Sequence, residues 1–153
     1  MSIKLVNFID LNDMEKEMVL EWRNHKDIRK YMYNQETILL ENHLKYIKLL
    51  KISKDKRYFL VKRDFDCIGV IYFTEIKKDS CYFGLYSKPN LKGVGDTLLK
   101  TIIDYAFNNL KIKTLKLEVL ESNIRAIKLY KRFGFIEKDR RDNIVIMELK
   151  REN

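Results

Sequence analysis

The chain has 153 residues, 46% apolar and 35% charged, a balance that excludes a disordered segment and suits one globular domain over residues 1–153. Lysine and arginine outnumber aspartate and glutamate by 31 to 22, a net charge of +9, but the basic residues are scattered and form no nucleic-acid-binding signature. No apolar run approaches the roughly 20 residues that cross a bilayer, and the charged N-terminal stretch MSIKLVNFIDLNDMEKEM lacks a signal-peptide core, so a cytoplasmic protein is expected.

The pattern IKLVNF, Ile3 to Phe8, predicts a first strand. From Asn12 to Tyr33 the spacing becomes helical: Met14, Met18 and Trp22 recur every four residues, and Asn12 or Asp13 caps the start. A second helix, LLENHLKYIKLLK, has Leu40, Leu44, Ile47 and Leu50 or Lys51 marking its inner and outer faces. The strands RYFLVKR, CIGVIYFTEI and SCYFGLY follow, separated by DFD and KKDS, charged breaks suited to antiparallel hairpins. Cys67 and Cys81 lie in these strands, fit no metal spacing and read as buried free thiols.

Next comes NLKGVGD, which holds two of only five glycines, and then a helix with Leu98, Leu99, Ile102, Ile103, Ala106 and Phe107 on one face. TLKLEVL alternates as a strand whose Lys116 and Glu118 point outward. NIRAIKLYKRF is helical through Ala126, Leu129, Tyr130 and Phe133, and GFIEK and NIVIMELK end the chain as strands. The predicted order is β-α-α-β-β-β-α-β-α-β-β, a mixed α/β sheet with helices packed against it.

A strand, a glycine turn and a helix start make an anion site, because the first helical N–H groups are unpaired and bare backbone admits a phosphate. Lys92 adds a formal charge there. A tight turn that needs positive φ accounts equally well for the two glycines alone. The nucleotide P-loop spacing is absent, and the dinucleotide fingerprint would need glycine where Leu98 stands.

The letters Asn90, Leu91, Lys92, Gly93, Val94 and Gly95 resemble the pyrophosphate loop of the GNAT family of acetyl-CoA-dependent N-acetyltransferases, with asparagine in place of that loop's opening glutamine or arginine. Asp96, an acid beside the phosphate position, is expected to point to solvent. A second stretch, ESNIRAIKLYKRFGF, resembles the family's NxxAxxxYxxxGF signature through Asn123, Ala126, Tyr130, Gly134 and Phe135. The element order also resembles the family end to end. The resemblance implies an α+β GNAT fold, a mostly antiparallel sheet flanked by four helices. A bulge in the strand Tyr82 to Lys88 is expected to splay it from its neighbour, and Gly84 in mid-strand fits a bulge or a close backbone approach.

For acetyl-CoA the resemblance implies Lys92, Gly93, Val94, Gly95 and Thr97 at the pyrophosphate. Leu85, Tyr86 and Ser87 would line the pantetheine, Asn123 would cap the helix beside it, and Ala126 would let it pass. Tyr130, which alone reads as a core tyrosine, becomes the general acid for the departing thiolate. A backbone amide near Tyr86 would stabilise the oxyanion in a direct, ternary-complex transfer, and no metal is implied.

EWRNHKDIRKYMYN and ENHLKYIKLL are similar to a bacterial subgroup that acetylates the 4-amino group of UDP-4-amino-4,6-dideoxy-N-acetyl-beta-L-altrosamine on the route to pseudaminic acid, a flagellin glycan. Arg23 and His43 are the expected cations for the UDP pyrophosphate, whereas Trp22 reads as core. Tyr86 and Glu75 are further substrate-side candidates, with Glu75, His43 or a water relay open as the general base. Acetyl-CoA and a UDP-amino sugar are thus the expected partners, without nucleic acid or membrane, and a homodimer stays open. The alternatives are a ribosomal-protein-type N-terminal acetyltransferase, whose relatives share the WRN element, and a non-catalytic basic binding protein.

Overall fold

The computed structural model describes residues 2–152. Seven strands, β1 (Ile3–Asn7), β2 (Arg57–Arg63), β3 (Asp66–Thr74), β4 (Ser80–Ser87), β5 (Thr114–Leu120), β6 (Ile136–Arg141) and β7 (Ile144–Lys150), form one sheet in the order β1-β2-β3-β4-β5-β7-β6. All neighbours are antiparallel except β4 and β5. That parallel pair is short: Ser80–Tyr82 pair with Thr114–Lys116, and beyond them β4 stays with β3 while β5 stays with β7. The sheet therefore opens into a V at its centre.

No bulge opens the V. The β3–β4 register runs without a break from Gly69↔Ser87 to Thr74↔Tyr82. The nearby irregularity lies between β2 and β3, where Val61 faces Gly69 and Lys62 faces Cys67. Gly84 serves close approach instead, since a Cβ there would run into the ring of Tyr72.

Helices α4 (Gly95–Asn108) and α5 (Ile124–Arg132) cover one face. Leu98, Leu99, Ile102 and Ala106 of α4 meet Leu115, Leu117 and Val119 of β5 and Tyr130 of α5 in a shared core that also encloses Cys81. Cys67, by contrast, is only half-buried. The opposite face of β1–β4 is covered by α1 (Asp13–Asn24) and α3 (Leu40–Leu50), whose Val19, Trp22, Ile47 and Leu50 pack on Leu60, Val70 and Tyr86.

The expected single helix from Asn12 to Tyr33 is two, which makes five α-helices among the described residues rather than four. A capping box starts α1, with Asn12 accepting from the Glu15 amide at 2.8 Å and Glu15 accepting from the Asn12 amide at 3.1 Å. The helix stops at Asn24 because that side chain holds both backbone groups of Ile38, at 2.9 and 2.7 Å, while its carbonyl takes the Arg29 guanidinium at 3.1 Å. His25 turns extended, and its ring nitrogen caps the one-turn helix α2 (Lys26–Arg29). Apolar periodicity carries no trace of such long-range side-chain bonds.

Two helix faces also differ from their spacing. Met14 is 81% exposed, while Trp22 is buried. On α3 the buried residues are His43, Ile47 and Leu50, so His43 stands within the inner stripe rather than at its edge. No helix of the described residues is long and apolar enough to cross a membrane.

Candidate active site

The V between β4 and β5 holds a cavity of about 330 Å³. Its walls are Phe83–Ser87 of β4, Glu118 and Val119 of β5, Leu91–Gly95 of the glycine turn, and Asn123, Ala126, Leu129 and Tyr130 of α5. Past Tyr82, the β4 edge that faces β5 has no strand partner, so its backbone amides and carbonyls are left to an occupant. Gly93 takes φ +81 with open space where a Cβ would sit, and Asn90 also has positive φ. Val94 precedes α4 with no side-chain cap, which leaves the first-turn amides without a side-chain acceptor. An extended chain bearing amides and ending in phosphates matches such a cleft, and acetyl-CoA has those features.

Asn123 caps α5 through its side-chain oxygen, at 3.4 Å from the Ala126 amide. The ring of Tyr130 is held edge-on between Phe83 and Phe135, at centroid distances of 5.9 Å to each. Burial, with a smaller contribution from Tyr72, raises its phenol above the ordinary tyrosine value, so the hydroxyl keeps its proton. Burial likewise pushes the Cys81 thiol up to about 12, and neither cysteine lines a cavity.

A second cavity, about 380 Å³, lies on the α1–α3 side and shares Met32, Tyr72 and Tyr86 with the first. Phe8, Arg23, Ile38, Asn42, His43, Tyr46 and Tyr58 complete it. Tyr58 stacks on Tyr72 at 4.8 Å and accepts a hydrogen bond from Tyr46 at 3.0 Å. Arg23 donates through Nη2 to the Asn34 carbonyl at 2.8 Å, but its Nη1 is buried with no partner. No carboxylate pairs with Arg23 or lines this cavity among the described residues. His43 is not a second cation. Its Nε2 lies 2.9 Å from the Lys16 carbonyl and must donate there, and burial lowers its pKa. The neutral ring offers Nδ1 as an acceptor.

Leu85, Tyr86, Ser87, Lys92, Gly93, Val94, Gly95, Asn123, Ala126 and Tyr130 thus meet in the first cavity, and Arg23, His43 and Tyr86 in the second. Two expected residues stand apart. Glu75 is exposed in the turn after β3 and lines neither cavity, because the strand ends at the closed base of the V. Thr97 turns its side chain into a separate groove with Ile3 and Leu5, since α4 rotates it away from the cleft. Asp96 is exposed as expected but also bonds the Arg132 guanidinium at 2.5 Å, tying α4 to α5.

Glu118 is the carboxylate that sequence reasoning missed. Its alternation with Leu117 and Val119 reads as a solvent face, yet that face lies on the V. Tyr33, from the loop after α2, donates to Glu118 Oε2 at 2.5 Å.

The profile of the acetyltransferase (GNAT) family matches residues 14–135. An acetyltransferase PseH of Campylobacter jejuni is 50% identical over 133 residues, covering 87% of this chain and 84% of that protein. The crystal structure of Campylobacter jejuni N-acetyltransferase PseH in complex with acetyl coenzyme A matches with a TM-score of 0.86 at 44% identity, over 99% of this chain and 100% of that one. Spermidine N-acetyltransferase from Vibrio cholerae, in complex with CoA and spermine, reaches a TM-score of 0.86 at 21% identity over 97% and 95% of the two chains, a likeness of fold alone.

Proposed function

The chain belongs to the GNAT acetyltransferase family, and from that premise we propose that it acetylates the 4-amino group of a UDP-linked amino-dideoxy sugar on the route to pseudaminic acid. It is an acetyl-CoA-dependent N-acetyltransferase. The acceptor is read as UDP-4-amino-4,6-dideoxy-N-acetyl-beta-L-altrosamine.

The observation that carries the reading is Arg23 Nη1, buried and unpartnered in an aromatic cavity that adjoins the acetyl cleft. A buried guanidinium N–H without an acceptor costs about 1–3 kcal/mol or more, which an anionic acceptor molecule would offset. A nucleoside diphosphate brings that anion together with a flat base and a sugar for the tyrosines. A polyamine would need carboxylates, and this cavity has none among the described residues.

Acetyl-CoA would lie along the free edge of β4 at Leu85–Ser87, with its pyrophosphate on the first-turn amides of α4 and Lys92 near it. Tyr130 donates its proton to the thiolate sulfur as the acyl–sulfur bond breaks. Direct transfer is supported by the cleft lining, which holds no cysteine among the described residues, and by Cys81 being buried and protonated.

Acetyl-CoA consumption measured with a panel of UDP-4-amino sugars and N-terminal peptides tests the acceptor. The expected result is turnover of a UDP-4-amino sugar, with free UDP competing against the sugar and not against acetyl-CoA. Good peptide turnover that high UDP leaves untouched would replace this reading with protein N-terminal acetylation.

A further inference from the structure

We propose that Asn24 is a positioning residue for the amine acceptor: its side-chain amide clasps the backbone of Ile38 and so holds segment 31–39 and the Arg23 guanidinium as one wall of the second cavity. The inference rests on the reading of that cavity as the acceptor's seat.

Segment 31–39 joins α2 to α3 and has little of its own to hold it in place. It contains no helix or strand, and only Met32 and Ile38 are half-buried, while Tyr33 and Leu39 are 60% and 66% exposed. Apolar burial therefore contributes little, and a stretch of this kind opens locally at low cost. Yet it builds the site: Met32 lines both cavities and Ile38 lines the second. Its place is set instead by polar bonds from the end of α1 and from α2. Arg23 donates to the Asn34 carbonyl at 2.8 Å, Arg29 to the Gln35 carbonyl at 3.1 Å, and Asn24 to the Ile38 carbonyl at 2.9 Å.

Among these bonds the Asn24 clasp differs in kind. Its Oδ1 accepts the Ile38 amide at 2.7 Å while its Nδ2 donates to the carbonyl of the same residue, so both backbone groups close on one side chain. The two bonds are part-buried, whereas both arginine bonds to the segment are exposed and compete with water. A carboxamide carries a donor and an acceptor on one planar group, which aspartate and leucine do not. The end of α1 does not need the side chain for itself, because the His25 amide closes its last turn on the Trp22 carbonyl.

The clasp also bears on the group that would meet the acceptor's phosphates. Arg23 stands next to Asn24 in sequence; its Nη2 is fixed by the Asn34 carbonyl, and its Nη1 is buried without a partner. Asn34 is carried by the segment that Asn24 ties down. With the clasp open, that carbonyl drifts, Arg23 loses its aim and Ile38 leaves the wall. The acceptor then binds only the fraction of molecules whose segment is seated, which raises its KM by the inverse of that fraction and leaves the saturated rate alone. The walls of the acetyl cleft include neither Asn24 nor Ile38, so acetyl-CoA should not sense the change.

The test is Asn24→Ala, which removes both bonds and leaves a good helix former at the end of α1. Steady-state kinetics should show the acceptor KM raised about tenfold, the kcat kept and the acetyl-CoA KM within about twofold of the parent. In an Arg23→Ala background the same substitution should add less than about threefold, because the group it positions is already gone. An acceptor KM equal to the parent's, equal rises in both KM values, or a full tenfold added on top of Arg23→Ala overturns the proposal. Amide hydrogen exchange of the parent, followed by NMR, tests the clasp without any substitution: the Ile38 amide should exchange more slowly than that of Thr37. Equal exchange at the two positions means that no clasp holds in solution, and the proposal falls. A parent that acetylates another amine and ignores UDP defeats the acceptor reading instead. The Asn24→Ala effect on the KM of that amine then decides for or against the clasp.

Discussion

The two cavities on either side of Met32, Tyr72 and Tyr86 are built by different means. The cleft between β4 and β5 is made largely of backbone: a strand edge without a partner, a glycine turn, and helix-start amides. The cavity beneath α1 and α3 is made of side chains drawn from those two helices, from Phe8, Met32 and Ile38 between the longer elements, and from three strands. Backbone sites are specified by short contiguous stretches, because geometry there depends on where glycine and a helix start fall. Side-chain sites are specified by packing between distant segments. The proposed transfer would need both at once, and the shared wall of Met32, Tyr72 and Tyr86 is where the two cavities meet.

Substitutions that strike one cavity and spare the other test this division. The largest effect is expected from Tyr130→Phe, which removes one hydroxyl and leaves the ring between Phe83 and Phe135. kcat should fall by about 10²–10⁴-fold with acetyl-CoA binding unchanged, as measured by steady-state kinetics with chemistry rate-limiting. A loss of thermal stability as large as the loss of rate would return Tyr130 to the core. Arg23→Ala should come next. It removes the sole cation of the second cavity among the described residues, and should weaken the nucleotide sugar by about 1.5–3 kcal/mol while sparing acetyl-CoA. Equal losses for both substrates would show the cavities to be one.

A smaller effect is expected from Gly95→Val, read as the acetyl-CoA KM. Gly95 has no positive φ, so the chain should fold, but a Cβ there already meets Leu129 Cδ2 at 3.2 Å. The helix start must shift against α5, and losing one charge-assisted hydrogen bond to phosphate would raise the KM about tenfold. Acceptor KM should not move.

Legibility in the sequence follows the same division. Gly93, Gly95, Asn123 and Tyr130 stand in two local stretches, and the order of strands and longer helices follows from periodicity. The break after Asn24 does not, because it depends on Ile38 and Arg29, folded back from later in the chain. Glu118 reads as a solvent-facing strand residue because alternation tells which face a residue takes but not what lies over that face. Glu75 fails for the opposite reason: it follows β3, a strand beside the site, but at the closed end of the V. Sequence adjacency to a site strand carries no information about which end of a V is open.

His43 sharpens the comparison most finely, through the pH dependence of stability. Burial keeps its imidazole neutral in the fold, opposed by the hydrogen bond to the Lys16 carbonyl, whereas the unfolded chain protonates it near pH 6.5. Below that pH the unfolded state binds a proton that the folded state refuses, so stability should fall as pH drops from about 6.5 toward the lowered folded value, and be full above it. His43→Gln, whose amide N–H also reaches toward the Lys16 carbonyl, should shrink the change in thermal midpoint between about pH 7 and pH 5. An unaltered pH slope would mean that His43 carries a proton in the folded protein. Below about pH 6.5 the second cavity would then hold two cations for its anion, and there Arg23→Ala should cost correspondingly less than a site with one charge predicts.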